Sequence, residues 1–164
     1  MIKNARTHVT FVTKLFNTED VKDYFINPCC FGDDCAQWLI DRLVSQGCEK
    51  VDEQPAQEDW GWFFFVTTGQ RDFLIGVGLC EGEEAPNTWL AFIKSQLGWL
   101  NRKLFSRSDD TELMVICEAV DRALKSASEI SDVRWHTEED WMKGEKGNWR
   151  SAPGAYATHS DSNR

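Results

Sequence analysis

Residues 60–79 read WGWFFFVTTGQRDFLIGVGL, and the fold turns on this stretch. Two runs rich in aromatic and β-branched side chains, 60–67 and 72–79, flank Thr68, Gly69, Gln70 and Arg71, a spacing that predicts a β-hairpin. The unbroken run Trp62, Phe63, Phe64, Phe65, Val66 leaves neither face polar, so this strand is expected inside a sheet with apolar cover on both sides. Gly76 and Gly78 share a parity on the second strand and leave one face bare, open to a helix or a bulky ring. They lie within a strand pattern, whereas a phosphate-binding loop needs its glycines in a turn before a helix.

Working outward toward the N-terminus, a short strand is expected at 48–52, and before it Asp33 caps a helix running through Gln46. Cys35, Leu39 and Leu43 stack there beside Ala36, Ile40 and Val44, with Trp38 on the same broad side and Gly47 as the left-handed stop. Asn17 or Thr18 offers an N-cap for a two-turn helix carrying Val21, Tyr24 and Phe25, with Pro28 just past its end. Val9, Phe11 and Leu15 share one parity and predict a strand over 7–15.

Toward the C-terminus, Asn87 or Thr88 caps a segment in which Trp89, Phe92, Ile93, Gln96, Leu97 and Leu100 follow the helical period, with Arg102 and Lys103 at its end and a soft spot at Gly98. Asp109 and Glu112 resemble a capping box for a further helix striped by Leu113, Ile116, Cys117, Val120 and Leu124. Val133 and Trp135 alternate with Asp132, Arg134 and His136 in a last, half-exposed strand. The order predicts an α+β fold: a two-layer sandwich whose antiparallel or mixed sheet has about five strands, with helices mainly on one face. Residues 1–143 form the single domain, and 144–164 are expected as a flexible tail, with Trp141 and Trp149 as docking points.

Eighteen basic side chains against 27 acidic ones give a net charge of −9, a field that repels nucleic acid and anionic lipid. The acids cluster at Glu49, Asp52, Glu53, Glu58 and Asp59 and again at Glu81, Glu83 and Glu84, which reads as two solvated loops or, more sharply, as a match for a basic partner protein surface. Thr10, Thr13 and Lys14 interrupt the apolar residues at the start, and nowhere does the chain approach the roughly 20 apolar residues of a membrane span. A cytoplasmic location follows as the expectation, with the six cysteines as reduced thiols.

Candidate chemistry is sparse. Cys29, Cys30 and Cys35 precede or open a helix, where the dipole favours a thiolate, although Cys35 and Cys117 fall on apolar stripes and read as packing. Zinc sites need a second pair at comparable spacing, and the vicinal Cys29-Cys30 with Cys35 and Cys48 makes only an irregular set, so neither metal nor cofactor is expected. His136 is the histidine that can meet the carboxylates of Glu58 and Asp59 as an acid–base pair; its alternative is a surface histidine at a strand end. Glu58, Asp59, Trp60 and Trp62 join two carboxylates to two indoles at a strand entrance, with Trp60 and Trp62 expected on one face, suited to a ligand ring, a partner's arginine, or simply to closing the core.

Asn27-Pro28 and Phe31-Gly32-Asp33-Asp34 before a helix, with Glu58-Asp59-Trp60-Gly61-Trp62 after it, resemble bacterial proteins of unassigned function over residues 25–62. The resemblance implies a bacterial cytosolic origin and brings no catalytic residues with it. The leading expectation is a noncatalytic protein-interaction or accessory, immunity-type protein. The alternative is a small hydrolase-like enzyme using a carboxylate with His136, or a thiol at Cys29 or Cys30. A third reading makes Trp89, Trp99 or Trp141 the mark of a homodimer interface.

Overall fold

The computed structural model describes residues 5–69, 71–80, 85–96 and 108–154. Strands β1 (Arg6–Val12), β2 (Lys50–Val51), β3 (Ala56–Glu58), β4 (Gly61–Thr68), β5 (Arg71–Leu79), β6 (Thr88–Ser95) and β7 (Ser131–Thr137) form one sheet in the order β2-β4-β5-β6-β1-β7. β3 shares the outer side of β4 with β2, and every pairing is antiparallel. The fold is therefore α+β, and its sheet has seven strands where about five were expected.

The hairpin forms as its composition dictates, with Thr68 opposite Arg71 and Phe64 opposite Ile75. Trp62, Phe64 and Val66 turn into the core, while Phe63 and Phe65 face the other side and stay half-buried. Apolar cover on that second face is thus partial, supplied in part by Trp60 lying 6.2 Å from Phe63 and 5.1 Å from Phe92 between ring centroids.

Helices α1 (Asp33–Ser45) and α2 (Ser108–Lys125) pack side by side on the core face. Cys35, Ala36, Leu39, Ile40 and Leu43 from α1 meet Ile116, Cys117, Val120 and Leu124 from α2 over Phe11, Phe64, Phe73, Ile75 and Ile93. Burying each such side chain contributes about 1.5–3 kcal/mol, which is why these stripes decide where the helices lie. The stop of α1 is a Schellman motif: Gly47 N–H bonds the Val44 carbonyl at 2.9 Å and Cys48 N–H the Leu43 carbonyl at 3.1 Å, with Gly47 at φ 91°. Val44 is 54% exposed and leaves the expected stripe. Helix α3 (Glu138–Lys143) contacts β1 and β7 from the opposite face, where Trp141 lies against His8 and His136.

Three expectations are corrected. Residues 88–95 form strand β6, bonded to β5 on one side and β1 on the other, and not the start of a helix. Trp89, Ala91 and Ile93 alternate as well as Trp89, Phe92 and Ile93 follow a helical period, and the open edges of β5 and β1 select the strand. Gly98, Arg102 and Lys103 lie outside the described residues, as do Glu81, Glu83, Glu84, Trp99 and His159.

No helix forms over 17–28. Asn17 Oδ1 accepts from the N–H groups of Glu19 and Asp20 and so closes a turn, and Val21 and Tyr24 are exposed. The Gln57 side chain then secures the loop by accepting from Ile26 and Asn27 N–H and donating to the Asn27 and Cys30 carbonyls.

Strand β7 is not half-exposed at its centre, because Trp135 and His136 are 0% and 2% exposed. Trp135 Nε1 donates to Asp121 Oδ1 at 2.8 Å, and the Trp135 backbone exchanges two hydrogen bonds with Arg150. Residues 144–154 therefore run along the outside of β7, where Lys125 Nζ also donates to the Ser151 carbonyl at 2.6 Å.

Candidate functional site

The first turn of α1 organises a hollow that gathers carboxylates and aromatic rings. Gly32, at φ 132°, is the N-cap, and a Cβ there would stand 3.5 Å from the rings of Trp62 and Trp89. A glycine accordingly lets the helix end sit close against the sheet. Asp33 is 5% exposed, and its Oδ2 accepts from Lys22 Nζ at 2.5 Å and Tyr24 Oη at 2.5 Å. Asp34 Oδ2 accepts from Asn17 N–H at 2.7 Å, and Gln37 Nε2 donates to Asp41 Oδ1 at 3.1 Å.

These groups line a cleft of about 680 Å³ with Tyr24, Trp38 and Trp62 as aromatic walls. Tyr24 meets Trp62 edge-on at 6.1 Å. Burial alone would raise the Asp33 pKa, but the hydrogen bonds from Lys22 and Tyr24 outweigh it and hold the carboxyl below its usual range. The same hydrogen bonds raise Lys22, and burial followed by the Asp33 hydrogen bond raises Tyr24. The triad therefore keeps its ordinary charges at neutral pH, which suits recognition better than proton transfer.

This triad was missed by reading the sequence, where Asp33 served only as a helix cap and Tyr24 as an apolar helix residue. Lys22 stands 11 positions before Asp33 in an irregular loop, and no periodicity links them.

Cys29 and Cys30 lie beside Asp59 and Trp60 in a hollow of about 300 Å³. Cys29 is exposed, its N–H bonded to Asn27 Oδ1, and the Cys30 Sγ donates to the Asp59 carbonyl at 3.1 Å. The described lining of this hollow includes no histidine, the base most often found beside an activated nucleophile. Burial pushes up the thiols of Cys35, Cys48 and Cys117, as packing residues require.

His136 does not meet Glu58 or Asp59. It stands on β7, four strands from β4, a separation of about 19 Å at the usual strand spacing. Its Nε2 lies 3.2 Å from Thr10 Oγ1 instead. Burial, then Arg134, depress its pKa.

Trp60 and Trp62 are on opposite faces, which corrects the single-face expectation. Gly61 at φ 151° breaks the alternation, sending Trp62 into the core with Nε1 donating to the Cys30 carbonyl at 2.9 Å, while Trp60 stays 47% exposed. Trp89 is wholly buried and marks no interface, whereas Trp141 is half-buried. Glu58 and Asp59 are both exposed at the turn between β3 and β4.

Among the described residues, no three His, Cys, Asp or Glu side chains converge on a metal-sized site, and no helix is long and apolar enough to cross a membrane. No protein-family model, curated protein or solved structure matches the chain.

Proposed function

We propose that this chain is a noncatalytic binding protein, of accessory or immunity type, that takes a lysine or arginine side chain of a basic partner protein into the cleft at the start of α1. The observation that carries the reading is the lining of that cleft, with Asp33, Asp34 and Asp41 against Lys22 as the one cation among its described lining residues, and Tyr24, Trp38 and Trp62 as rings. Carboxylates draw a cation in, and indole or phenol faces hold it through the ring quadrupole. The exposed acids Glu53, Glu58 and Asp59 extend the same negative field, with Trp60 as a further aromatic contact. Thiols at Cys29 and Cys48 suit a reducing cytoplasm.

The test is titration of the full chain with an arginine-rich peptide and with its glutamate-substituted counterpart, at low and high salt. Only the basic peptide is expected to bind, with affinity falling as salt rises and falling about tenfold or more in the Asp34→Asn/Asp41→Asn variant. Equal binding of both peptides, indifference to the double substitution, or no binding of the basic peptide at low salt would overturn the reading.

A further inference from the structure

On the face opposite α1 and α2, a second cavity of about 600 Å³ opens between β1, β7 and the residues that follow α3. Its charge runs against that of the chain. In a protein of net charge −9, the cavity gathers Arg134, Lys146 and His136 with Asp132 as the single acid among its described lining residues.

The cations are held in place by aromatic walls. The Arg134 guanidinium lies 4.9 Å from the ring centroid of Trp149, with Nε bonded to Asp132 Oδ1 at 2.7 Å. The Lys146 ammonium lies 5.2 Å from the ring centroid of Trp141. Between them stands His136, only 2% exposed, with Thr10 Oγ1 at 3.2 Å from Nε2. Its other ring nitrogen, Nδ1, is buried with no hydrogen-bond partner among the described residues.

We propose that this cavity binds a small organic anion: a carboxylate or phosphate group joined to a flat ring. The oxyanion sits between Arg134 and Lys146. The flat ring lies along Trp141 or Trp149. The volume falls in the range of small-molecule sites. The acidic cleft at α1 plays no part in this inference, and the two sites stand or fall separately.

The test is calorimetric titration of the full chain with adenosine monophosphate and with indole-3-acetate, alongside adenosine and inorganic phosphate. At least one ring-bearing anion is expected to bind about tenfold or more tightly than adenosine or phosphate, and the one that binds tells a phosphate ester from a carboxylate. Lys146→Gln, at an exposed position, is expected to weaken binding several-fold, and Arg134→Gln more so, with folding checked by circular dichroism. Lys50→Gln, the same loss of charge on the exposed β2 edge, is expected to leave affinity unchanged. Failure of both ring-bearing anions at millimolar concentration overturns the proposal. So does equal affinity for inorganic phosphate, or native affinity in both Lys146→Gln and a folded Arg134→Gln.

Discussion

The indole of Trp60 lies over Gly76: a methyl group built on that glycine would stand 2.8 Å from Trp60 Cζ3 and 2.3 Å from Phe92 Cζ. The bare strand face expected from Gly76 and Gly78 is thus occupied by two rings, and Gly78 would bring its own Cβ to 3.2 Å from the Trp60 carbonyl oxygen. Gly76→Ala is expected to lower stability by about 1–3 kcal/mol through overpacking, with tryptophan emission shifted to the red as the Trp60 ring lifts. Gly61→Ala is expected to cost more, because its Cβ meets the Val77 carbonyl oxygen at 2.3 Å, a backbone atom, and its φ of 151° disfavours a side chain. Urea denaturation checks both, and an unchanged midpoint for Gly76→Ala would remove the ring-over-glycine account.

Acid should weaken the fold well above the range where its carboxylates titrate. Burial pushes His8 down to about 4, with Lys94 and His136 adding to the shift against the opposing pull of Glu138; burial and Arg134 depress His136. In the unfolded chain both rings titrate near pH 6.5. Between about 6.5 and 4 the unfolded state therefore holds protons that the native state lacks, and stability falls as pH falls through that window. The His8 contribution lost by pH 4.5 is on the order of 2–3 kcal/mol. Asp33 is held below its usual range and loses its contribution only at lower pH still. Urea midpoints measured at pH 7.5 and 4.5 should differ in this sense, and less so in His8→Gln; a midpoint that holds or rises on acidification contradicts the scheme.

The cysteines should label in order of exposure. With a neutral-pH alkylating reagent followed by peptide mass analysis, Cys29 is expected first and Cys30, held to the Asp59 carbonyl, later. Cys35 and Cys117, buried and with raised thiol pKa values, should react only in denaturant. Modification of either at the rate of Cys29 in the native protein would show that the α1 and α2 stripes open far more readily than their packing implies.

Much of the architecture was legible because it is written in local periodicity. Alternation marked β1, runs of aromatic and β-branched residues around a turn marked the hairpin, and the stripe from Cys35 to Leu43 marked α1 together with its Gly47 stop. The 88–95 segment was not legible, since Trp89 and Ile93 satisfy two periods at once. Of the candidate site residues, Cys29, Cys30, Asp59 and Trp60 do gather in one hollow, although no spacing in the chain said that they would.

The residues by themselves determined the α+β class, the two packing helices, the hairpin and the acidic field, because strand and helix faces and net charge depend on neighbours a few positions apart. Only the tertiary structure decided that 88–95 joins the sheet, that Gly61 parts Trp60 from Trp62, and that Lys22 and Tyr24 converge on Asp33. It also decided that His136 faces Thr10 with Arg134 and Lys146 nearby, four strands from the acids it might have served. The physical reason is that such meetings depend on strand order and register across the sheet, which bring together residues whose separation along the chain carries no periodic signal.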